Sequence, residues 1–380
     1  MNLKKRYLVP RTAIPANTYT FRVDMPAVGA LSALEVIVEA KNDTAGNAVT
    51  TIADAIVAIQ LIADGSRPLL NLDGWDAAKI SAYYNYGQHT FVWDQRPNVY
   101  QTFKVLIPFG RYLGDVFYWL RLQDYASLYL DIIFNFLTGS GMFSNDPKYL
   151  TVIGYFIEPT PSTRIGLFKH TLFNVFRTEG SGDKLIKLPQ GNLIPYVFVR
   201  AQLSWPKFDD VLTWVKLDVN DGAEVLLEGR PHEIAMDNFY RDGVKGKFEI
   251  VAYRTDNELI NTNFDDIKSI SVTLQHEYVA SQNVPIYAIK NVNAGQVAFS
   301  GVLVSGTSTY AAAALDTTKR VIRLVVEQFG VGSMIKLQPG LSLEQEDFID
   351  TTKYGNVRLI FTQATANILI RVITVEAVTK

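Results

Sequence analysis

The chain has 380 residues and a mass of 42.5 kDa, which is enough for two or three domains that each bury their own core. Its 36 Lys and Arg residues against 38 Asp and Glu residues give a formal net charge of −2, which excludes a protein whose whole surface binds polyanions. The absence of cysteine excludes disulfides, thiolate metal sites and thiol nucleophiles.

Charged residues make up only 19% of the chain while aromatic residues reach 12%, a balance that indicates more buried surface than a monomer needs. The most apolar stretch, residues 116–137, is interrupted by Arg121, Asp124 and Asp131, so it does not have the pattern of a membrane-spanning helix. The basic N-terminus is not followed by the apolar segment of a secretory signal. We therefore expect the additional apolar surface to be buried against partner subunits.

Apolar residues recur at every second position along most of the chain, which is the period of strands with one wet face. Two segments break this pattern and predict helices, residues 74–84 and 231–240, each followed shortly by a glycine. The chain is therefore predicted to be all-β with short inserted helices. In the first part the pattern predicts eight strands: 18–25, 31–40, 54–62, 89–93, 100–107, 117–122, 127–136 and 149–157.

Two parts of the chain resemble each other, and the matching blocks occur in the same order with slowly drifting offsets. Such a pattern indicates a duplicated β domain, although two unrelated β domains can also share Asp-Gly turns. The paired helix in the same place of both copies favours duplication. The matched positions, in chain order, are Val36 with Val199, Asp64 with Asp221, Leu69 with Leu226, Tyr83 with Phe239, and Leu128 with Ile270.

Eight strands per copy suit a jelly roll, a two-sheet fold that protects its strand edges. Pro159 and Pro161 cannot continue a strand ladder, so we expect the hinge between the copies at residues 158–162. The last stretch matches neither copy and predicts a smaller β-sandwich of its own. The predicted domains are a first jelly roll at 1–160, a second jelly roll at 161–290, and an additional C-terminal β domain at 291–380.

Three segments carry a resemblance to a known family: the strand and turn at 59–66, the equivalent strand and turn at 215–222, and the strand with its following linker at 104–111. With the two tandem rolls and the helix after each Asp-Gly turn, the chain resembles the double jelly-roll major capsid proteins of the tectivirus and adenovirus lineage of icosahedral viruses. The resemblance covers about residues 10 to 290 and is one of architecture. The predicted C-terminal β unit departs from the family pattern.

This resemblance implies a structural protein that has no catalytic activity and no cofactor. It implies homotrimers of pseudo-hexagonal outline that tile an icosahedral shell, located in the virion and assembled in the host cytoplasm. The implied partners are further copies of the chain and other capsid proteins, such as penton or minor proteins. The C-terminal domain would project outwards as a tower, where a host receptor or glycan could bind.

The compact basic cluster of the sequence is Lys4, Lys5 and Arg6. Two interpretations stay open for it. Proteins of the resembled family often point the N-terminus inwards, so these side chains could contact the phosphates of an internal membrane or of the packaged genome. Alternatively, the cluster belongs to a frayed and solvated terminus.

Sequence motifs for catalysis or metal binding are missing, so no catalytic, metal or cofactor residue is assigned. Residues 218–222 lack the frame of a calcium loop and predict a turn. Acidic clusters at 209–210, 265–266 and 344–347 give no spacing that defines a glycosidase pair, so a glycoside hydrolase rests only on analogy of fold. The histidines stand far apart, without metal-ligand spacing: His89, His170, His232 and His276.

Aromatic residues around the first predicted helix support a further hypothesis, a carbohydrate-binding or receptor-binding β-sandwich of the lectin or spike type. Aromatic rings on an open face would offer a platform on which a sugar stacks. The same position beside a helix favours burial in the core. The residues in question are Trp75, Tyr83, Tyr84, Tyr86 and Trp93.

Overall fold

Strands dominate the structure, as the two-residue period predicts. Its described parts form five β-sheets with short helices between some of the strands. The computed structural model describes residues 2–45, 48–84, 90–202, 208–243, 245–254, 259–261, 267–275, 285–293, 296–305, 309–311, 320–329, 331–340, 342 and 344–379.

The first part of the chain is a jelly roll made of two facing four-stranded sheets. Its elements are β1 (Asn2–Ile14), β2 (Thr18–Asp24), β3 (Ala30–Lys41), α1 (Ile52–Ala55), β4 (Ile56–Ala63), β5 (Arg67–Leu72), α2 (Gly74–Tyr84), β6 (Thr90–Asp94), β7 (Tyr100–Pro108), β8 (Leu120–Arg121), β9 (Leu128–Asn135) and β10 (Lys148–Glu158). One sheet has the order β1-β10-β3-β7 and the other β2-β9-β4-β5. Alternate residues such as Val36, Ile59 and Ile132 are fully buried between them, which is why the strands show the period of two.

The second part repeats this arrangement, with an insertion. Its elements are β11 (Gly166–Glu179), β12 (Asp183–Lys187), β13 (Leu193–Gln202), α3 (Phe208–Val211), β14 (Leu212–Val219), β15 (Glu224–Gly229), α4 (Pro231–Asp242), β16 (Lys245–Arg254), β17 (Leu259–Asn261), β18 (Ile267–Gln275), β19 (Pro285–Asn293), β20 (Gln296–Ser305), β21 (Thr309–Ala311), β22 (Arg320–Phe329), β23 (Met334–Leu337), β24 (Ile349–Asp350), β25 (Val357–Gln363) and β26 (Ala366–Thr379). The second roll contains the strand order β11-β26-β13-β23 facing β12-β25-β14-β15.

The C-terminal strands belong to the second roll, which corrects the expectation of an additional domain at 291–380 and of a second roll that ends at 290. Strand β26 pairs with both β11 and β13, and β25 pairs with both β12 and β14, so both strands lie inside their sheets. The additional β unit is instead an insertion between α4 and β23, with the sheets β18-β22-β16-β6 and β17-β20-β19. The match of Leu128 to Ile270 misled the sequence analysis, because Ile270 lies in the inserted strand β18.

The count of eight strands for the first roll is correct, but two members differ from the prediction. The segment 89–93 becomes β6, which pairs with β16 of the insertion, and the segment 117–122 contains only the short β8. Strands β1 and β5 take their places. The period of two misses β1 because its residues are exposed on both faces along most of its length.

One sheet continues from the first roll into the second. Strand β5 pairs in parallel with β11, Leu70 opposite His170 and Asn71 opposite Thr171. The expected hinge at 158–162 lies between the end of β10 and the start of β11. Helix α2 covers the edge of β7, where the Leu106 N–H donates to Ser81 Oγ at 2.9 Å.

The two rolls point the same way. Both helices α2 and α4 lead towards the inserted sheet, in which β6 follows α2 and pairs with β16, the inserted strand that follows α4. We call this end of the rolls the insert end, and four strand residues mark it: Lys41, Tyr100, Arg200 and Met334. The opposite end, which we call the base, is marked by Asn2, Glu158, Gly166 and Thr379.

Candidate assembly surfaces

Helix α2 of the first roll buries one face against the second roll. The residues of this face recur at helical spacing and are each at most 7% exposed: Asp76, Lys79, Ile80 and Tyr83. The Tyr83 hydroxyl donates a hydrogen bond of 2.8 Å to the Met334 carbonyl oxygen. The Lys79 ammonium donates to Ser333 Oγ at 2.8 Å. We call these four residues the junction face of α2.

Two aspartates and two arginines form an ion-pair cluster at this junction. Arg200 Nε donates to Asp76 Oδ1 at 2.6 Å, and Arg200 Nη2 donates to Asp73 Oδ2 at 2.5 Å. Arg371 Nε donates to the second oxygen of Asp76 at 2.8 Å. Burial, reinforced by the charge of Asp76, raises the pKa of the Asp73 carboxyl. The cluster is neutral in sum and holds α2 of the first roll against β13 and β26 of the second.

A buried histidine adds a polar network to the same junction. Tyr84 Oη lies 2.7 Å from His170 Nε2, and the Tyr84 hydroxyl also bonds with the hydroxyl of Tyr196. Burial lowers the pKa of His170 to about 3, so the imidazole is neutral at physiological pH. This histidine therefore has a structural role between the rolls.

The part of the chain that the structure describes contains no group of three His, Asp or Glu side chains that could hold a metal ion. A cavity of about 40 Å³ lies beside the junction, between Tyr196, Lys336 and Asp242. It has room for a few water molecules and is too small for a sugar. The Lys336 ammonium lies 2.5 Å from the Asp242 carboxylate, and burial lowers the pKa of Lys336 to about 8.

The acidic clusters considered as catalytic pairs are engaged by neighbouring groups. Asp209 Oδ1 accepts a hydrogen bond of 2.8 Å from the backbone N–H of His232, at the start of α4. The Glu344 carboxylate forms an ion pair of 3.1 Å with Arg111. The candidates that lie outside the described residues are His89, 265–266 and His276.

The turn at 218–222, weighed above as a calcium loop, joins two strands and is neutralised by an arginine. Arg358 Nε donates to Asp218 Oδ1 at 2.8 Å, and Arg358 Nη1 donates to Asp221 Oδ1 at 2.9 Å. Asp221 has a φ of 56°, the left-handed conformation that tight turns use. The prediction of a strand-end turn is confirmed.

The aromatic residues proposed as a sugar platform do not share one open face. Tyr83 is 6% exposed and belongs to the junction face, and Tyr84 bonds with His170. Trp75 packs against the core and donates from Nε1 to Asp54 Oδ1 at 2.7 Å. Trp93 lies on β6, and Tyr86 lies outside the described residues.

The basic cluster forms part of strand β1 at the base, so the interpretation as a frayed terminus is wrong. Lys4 lies 2.5 Å from the Glu158 carboxylate, which Arg6 also contacts, and Lys5 stacks over the Tyr155 ring at 5.1 Å. The side chains of Lys4 and Arg6 nevertheless remain 60% and 50% exposed. They line an open cavity of about 600 Å³ at the base. No described helix has the length and hydropathy needed to cross a membrane.

Comparison with known proteins shows the fold. No family model matches the chain, and no curated protein matches it in sequence. The STIV MCP is similar in structure over the whole chain and 97% of its own length, at 10% identity and a TM-score of 0.58. The chain has the double jelly-roll fold.

Two further solved structures are similar over nearly the whole of both chains. The major capsid protein P2 from bacteriophage PM2 has a TM-score of 0.54 at 8% identity, and all of this chain covers 98% of it. A chain of the PBCV-1 virus capsid has a TM-score of 0.52 at 9% identity, with 98% of this chain covering 93% of it. The expected fold class is therefore confirmed. The structural similarity covers the whole chain, whereas the resemblance in sequence covered about residues 10 to 290.

Proposed function

We propose that this chain is the major capsid protein of an icosahedral virus, with a structural role and no catalytic activity. The supporting observation is the double jelly roll itself, matched from end to end by capsid proteins of three viruses. The orientation of the rolls supports the same proposal. Both rolls lead into the insertion at one end and leave their other ends together at the base, as a chain that stands upright in a shell would.

In this proposal three copies form one capsomer. Because each chain contains two similar rolls, a trimer presents six similar walls and fits a hexagonal lattice position. The insertion then faces outwards, where a host receptor or glycan could bind, and the base faces inwards. Penton or minor capsid proteins are the other proposed partners, and assembly takes place in the host cytoplasm. Contact of Lys4, Lys5 and Arg6 with an internal membrane or the genome stays a prediction.

The test is the mass and outline of the purified chain. Light scattering is expected to give about 3 × 42.5 ≈ 128 kDa, and electron microscopy of the same sample is expected to show particles of hexagonal outline. Homogeneous monomers at all concentrations and ionic strengths would contradict the trimer. Cleavage of a glycan by the purified chain would contradict the purely structural role.

A further inference from the structure

Two parts of the contact between the two rolls within one chain bear on assembly. The first is the parallel ladder in which β5 of the first roll meets β11 of the second. The second is the junction face of α2, which packs on the sheet β11-β26-β13-β23 from the side away from the second core. Since the second roll repeats the first, the chain also contains a second copy of each contributing surface.

Helix α4 is the counterpart of α2. At the start of α2, Asp73 N donates to Asp76 Oδ2 at 3.5 Å, and at the start of α4, Arg230 N donates in the same way to Glu233 Oε2 at 3.0 Å. This places Glu233 in the position of Asp76. The two helices then bury the same set of core positions: Ala77, Ala78 and Ser81 in α2, and Ile234, Ala235 and Asn238 in α4.

The counterpart of the junction face is exposed on α4 at three of its four positions, and Met236 is half-buried. Its residues are Glu233, Met236, Asp237 and Tyr240. The start of the two helices aligns Tyr83 with Tyr240, one residue beyond the Phe239 that the sequence pattern matched to it. Tyr83 is 6% exposed in the junction, whereas Tyr240 is 69% exposed. Glu233 and Asp237 are also exposed, in contrast to Asp76 and Ile80, which are fully buried. Helix α4 therefore presents to solvent the same face that α2 buries.

The strand edges show the same relation. Strand β15 is the counterpart of β5, since Leu227 and Leu70 each lie four residues before the helix that follows. Strand β1 is the counterpart of β11. Among the described residues, β15 is the outermost strand of its sheet and β1 is the outermost strand of β1-β10-β3-β7.

The residues of β1 can be matched with those of β11 because the pairing of each strand with its neighbour has an irregularity at a corresponding place. The ladder of β1 with β10 is interrupted after Tyr7, and that of β11 with β26 is interrupted after Leu172. Lys5 and His170 each lie two residues before these points, so they are counterparts. Arg6 is then the counterpart of Thr171.

We propose that β15 and α4 of one copy dock on β1 and on the outer face of the sheet β1-β10-β3-β7 of a second copy. This contact repeats between chains the contact that β5 and α2 make within one chain, and it rests on the proposed capsid function. In register, Leu227 lies opposite Lys5, and Glu228 lies opposite Arg6. The contact is head-to-tail, and a rotation of about 60° at each roll-to-roll contact would close three copies into a ring, with three junctions inside chains and three between them.

Charge complementarity supports the two strands as partners. Within the chain the neutral residues Asn71 and Thr171 face each other, whereas the proposed contact brings Glu228 opposite Arg6. Strand β15 carries the carboxylates of Glu224 and Glu228, and the facing part of β1 carries three cations. An extended edge strand of this kind is a template for pairing with another chain.

The outer face of the sheet also fits a protein partner. It carries a small apolar cluster in which Ala33, Ile153 and Tyr155 are at most 8% exposed in the single chain, while Ile37 and Leu106 are half-buried. Tyr7 lies opposite Ile153 on the same face and is 68% exposed. Tyr240 would meet this face near Lys104, which occupies the position that Met334 has in the internal junction. The Lys104 side chain is 58% exposed and its ammonium lies 2.6 Å from the Glu35 carboxylate, so the Tyr240 ring would meet a cation that already has a counter-ion.

The absence of cysteine from the sequence permits a direct test of the register. The variant Arg6→Cys with Glu228→Cys is expected to form disulfide-linked dimers and trimers on mild oxidation, seen on denaturing gels without reductant. The matched control is Arg6→Cys with Glu224→Cys. Glu224 lies four residues away from Glu228 along β15, about 13 Å, which is too far for a disulfide. The control is expected to stay monomeric on the gel.

Charge reversal and truncation provide a second test that does not depend on cross-linking. Arg6→Glu and Glu228→Arg are each expected to raise the dissociation constant of the trimer about tenfold. The double reversal is expected to restore the part of this loss that comes from the contact between copies, because Arg6→Glu also places a carboxylate beside Glu158 of its own chain. Tyr240→Ala is expected to weaken the trimer without a change in the thermal midpoint of the monomer, because the ring is exposed there.

The outcomes separate this inference from the proposed function. Trimers that form no disulfide and tolerate Tyr240→Ala would overturn the inference while the capsid function stands. A wild-type chain that never trimerises would overturn both. An intact trimer in which Arg6→Glu abolishes binding to vesicles of anionic lipid, or to DNA, would assign the basic cluster to phosphates and overturn its place in the contact.

Discussion

Burial distinguishes the ion-pair cluster between the rolls from ion pairs on the surface. Asp76 is fully buried and Arg200 is 4% exposed, so neither charge can be solvated when its partner is removed. A surface pair such as Lys353 with Asp350 has a lysine side chain that is 74% exposed, and water replaces the partner at little cost. The stability of the junction between the rolls therefore depends more on the residues of this buried cluster than on ion pairs at the surface.

The first prediction concerns Asp76. Asp76→Ala leaves Arg200 and Arg371 without their shared carboxylate, and we expect a loss of about 3 to 5 kcal/mol in the free energy of unfolding. Urea unfolding followed by tryptophan fluorescence measures the change. Lys353→Ala is the control and should leave the midpoint nearly unchanged. Equal effects of the two substitutions would mean that the cluster adds nothing beyond a surface ion pair.

The second prediction concerns pH and His170. Burial lowers the pKa of His170 to about 3 from its ordinary value of 6.5, so unfolded chains bind a proton below pH 6.5 that folded chains do not. The histidine therefore contributes full stability above pH 6.5 and loses it as the pH falls towards 3, by at most about 1.4 kcal/mol per pH unit. In His170→Gln the fall in thermal midpoint between pH 6.5 and pH 4 should be shallower. An identical slope in both proteins would show that the group does not titrate differently on folding.

At the scale of the elements, local signals in the sequence predict local structure. The helix at 74–84 is predicted to the residue, and the strands around Val36 and Leu130 are predicted within about two residues, because helix spacing and one buried face leave clear periods. Strand β1 has no such period, and the pairing of β26 with β11 joins residues that are far apart in the sequence. No periodicity encodes such a partner, which is why the C-terminal strands were assigned to a separate domain.

The third prediction tests that correction. Removal of residues 366–380 deletes β26 from between β11 and β13, so the second roll loses a central strand and the truncated chain should be insoluble or unfolded. Replacement of residues 245–329 by a short glycine-serine linker removes only inserted strands and should leave cooperative thermal unfolding. If the C-terminal strands formed a separate domain, the two rolls of the chain without residues 366–380 would instead remain folded. Circular dichroism and thermal melts of the truncated chain distinguish these two outcomes.

At the scale of the whole molecule, duplication explains what the sequence could and could not predict about assembly. The repeated turns and helices predict two similar rolls, and the composition indicates surfaces that are buried against partners. The surfaces that would be buried against partners can be identified only from the three-dimensional packing. The exposure of Tyr240 gains its meaning from the burial of Tyr83, and a sequence does not show burial.

The fourth prediction concerns the polarity of the chain in a shell. Val49 and Val28 are similarly exposed, at 70% and 65%, but they lie at opposite ends of the first roll. Val49 follows Ala48, whose N–H donates to Gln95 O beside the insertion, whereas Val28 lines the cavity at the base. If the insertion faces outwards, Val49→Cys should react with a bulky maleimide reagent in intact shells, and Val28→Cys should react only after the shells are dissociated.

The two variants control for each other, because both cysteines are expected to react equally in the free chain. Reaction of Val28→Cys alone in intact shells would reverse the orientation and place the basic strand β1 towards the outside. Equal reaction in intact shells would mean that the assembled copies do not enclose a protected interior. Protection of the base alone would place Lys4, Lys5 and Arg6 on the inner side of the shell, where any part of these side chains that a neighbouring copy leaves uncovered faces what the shell contains.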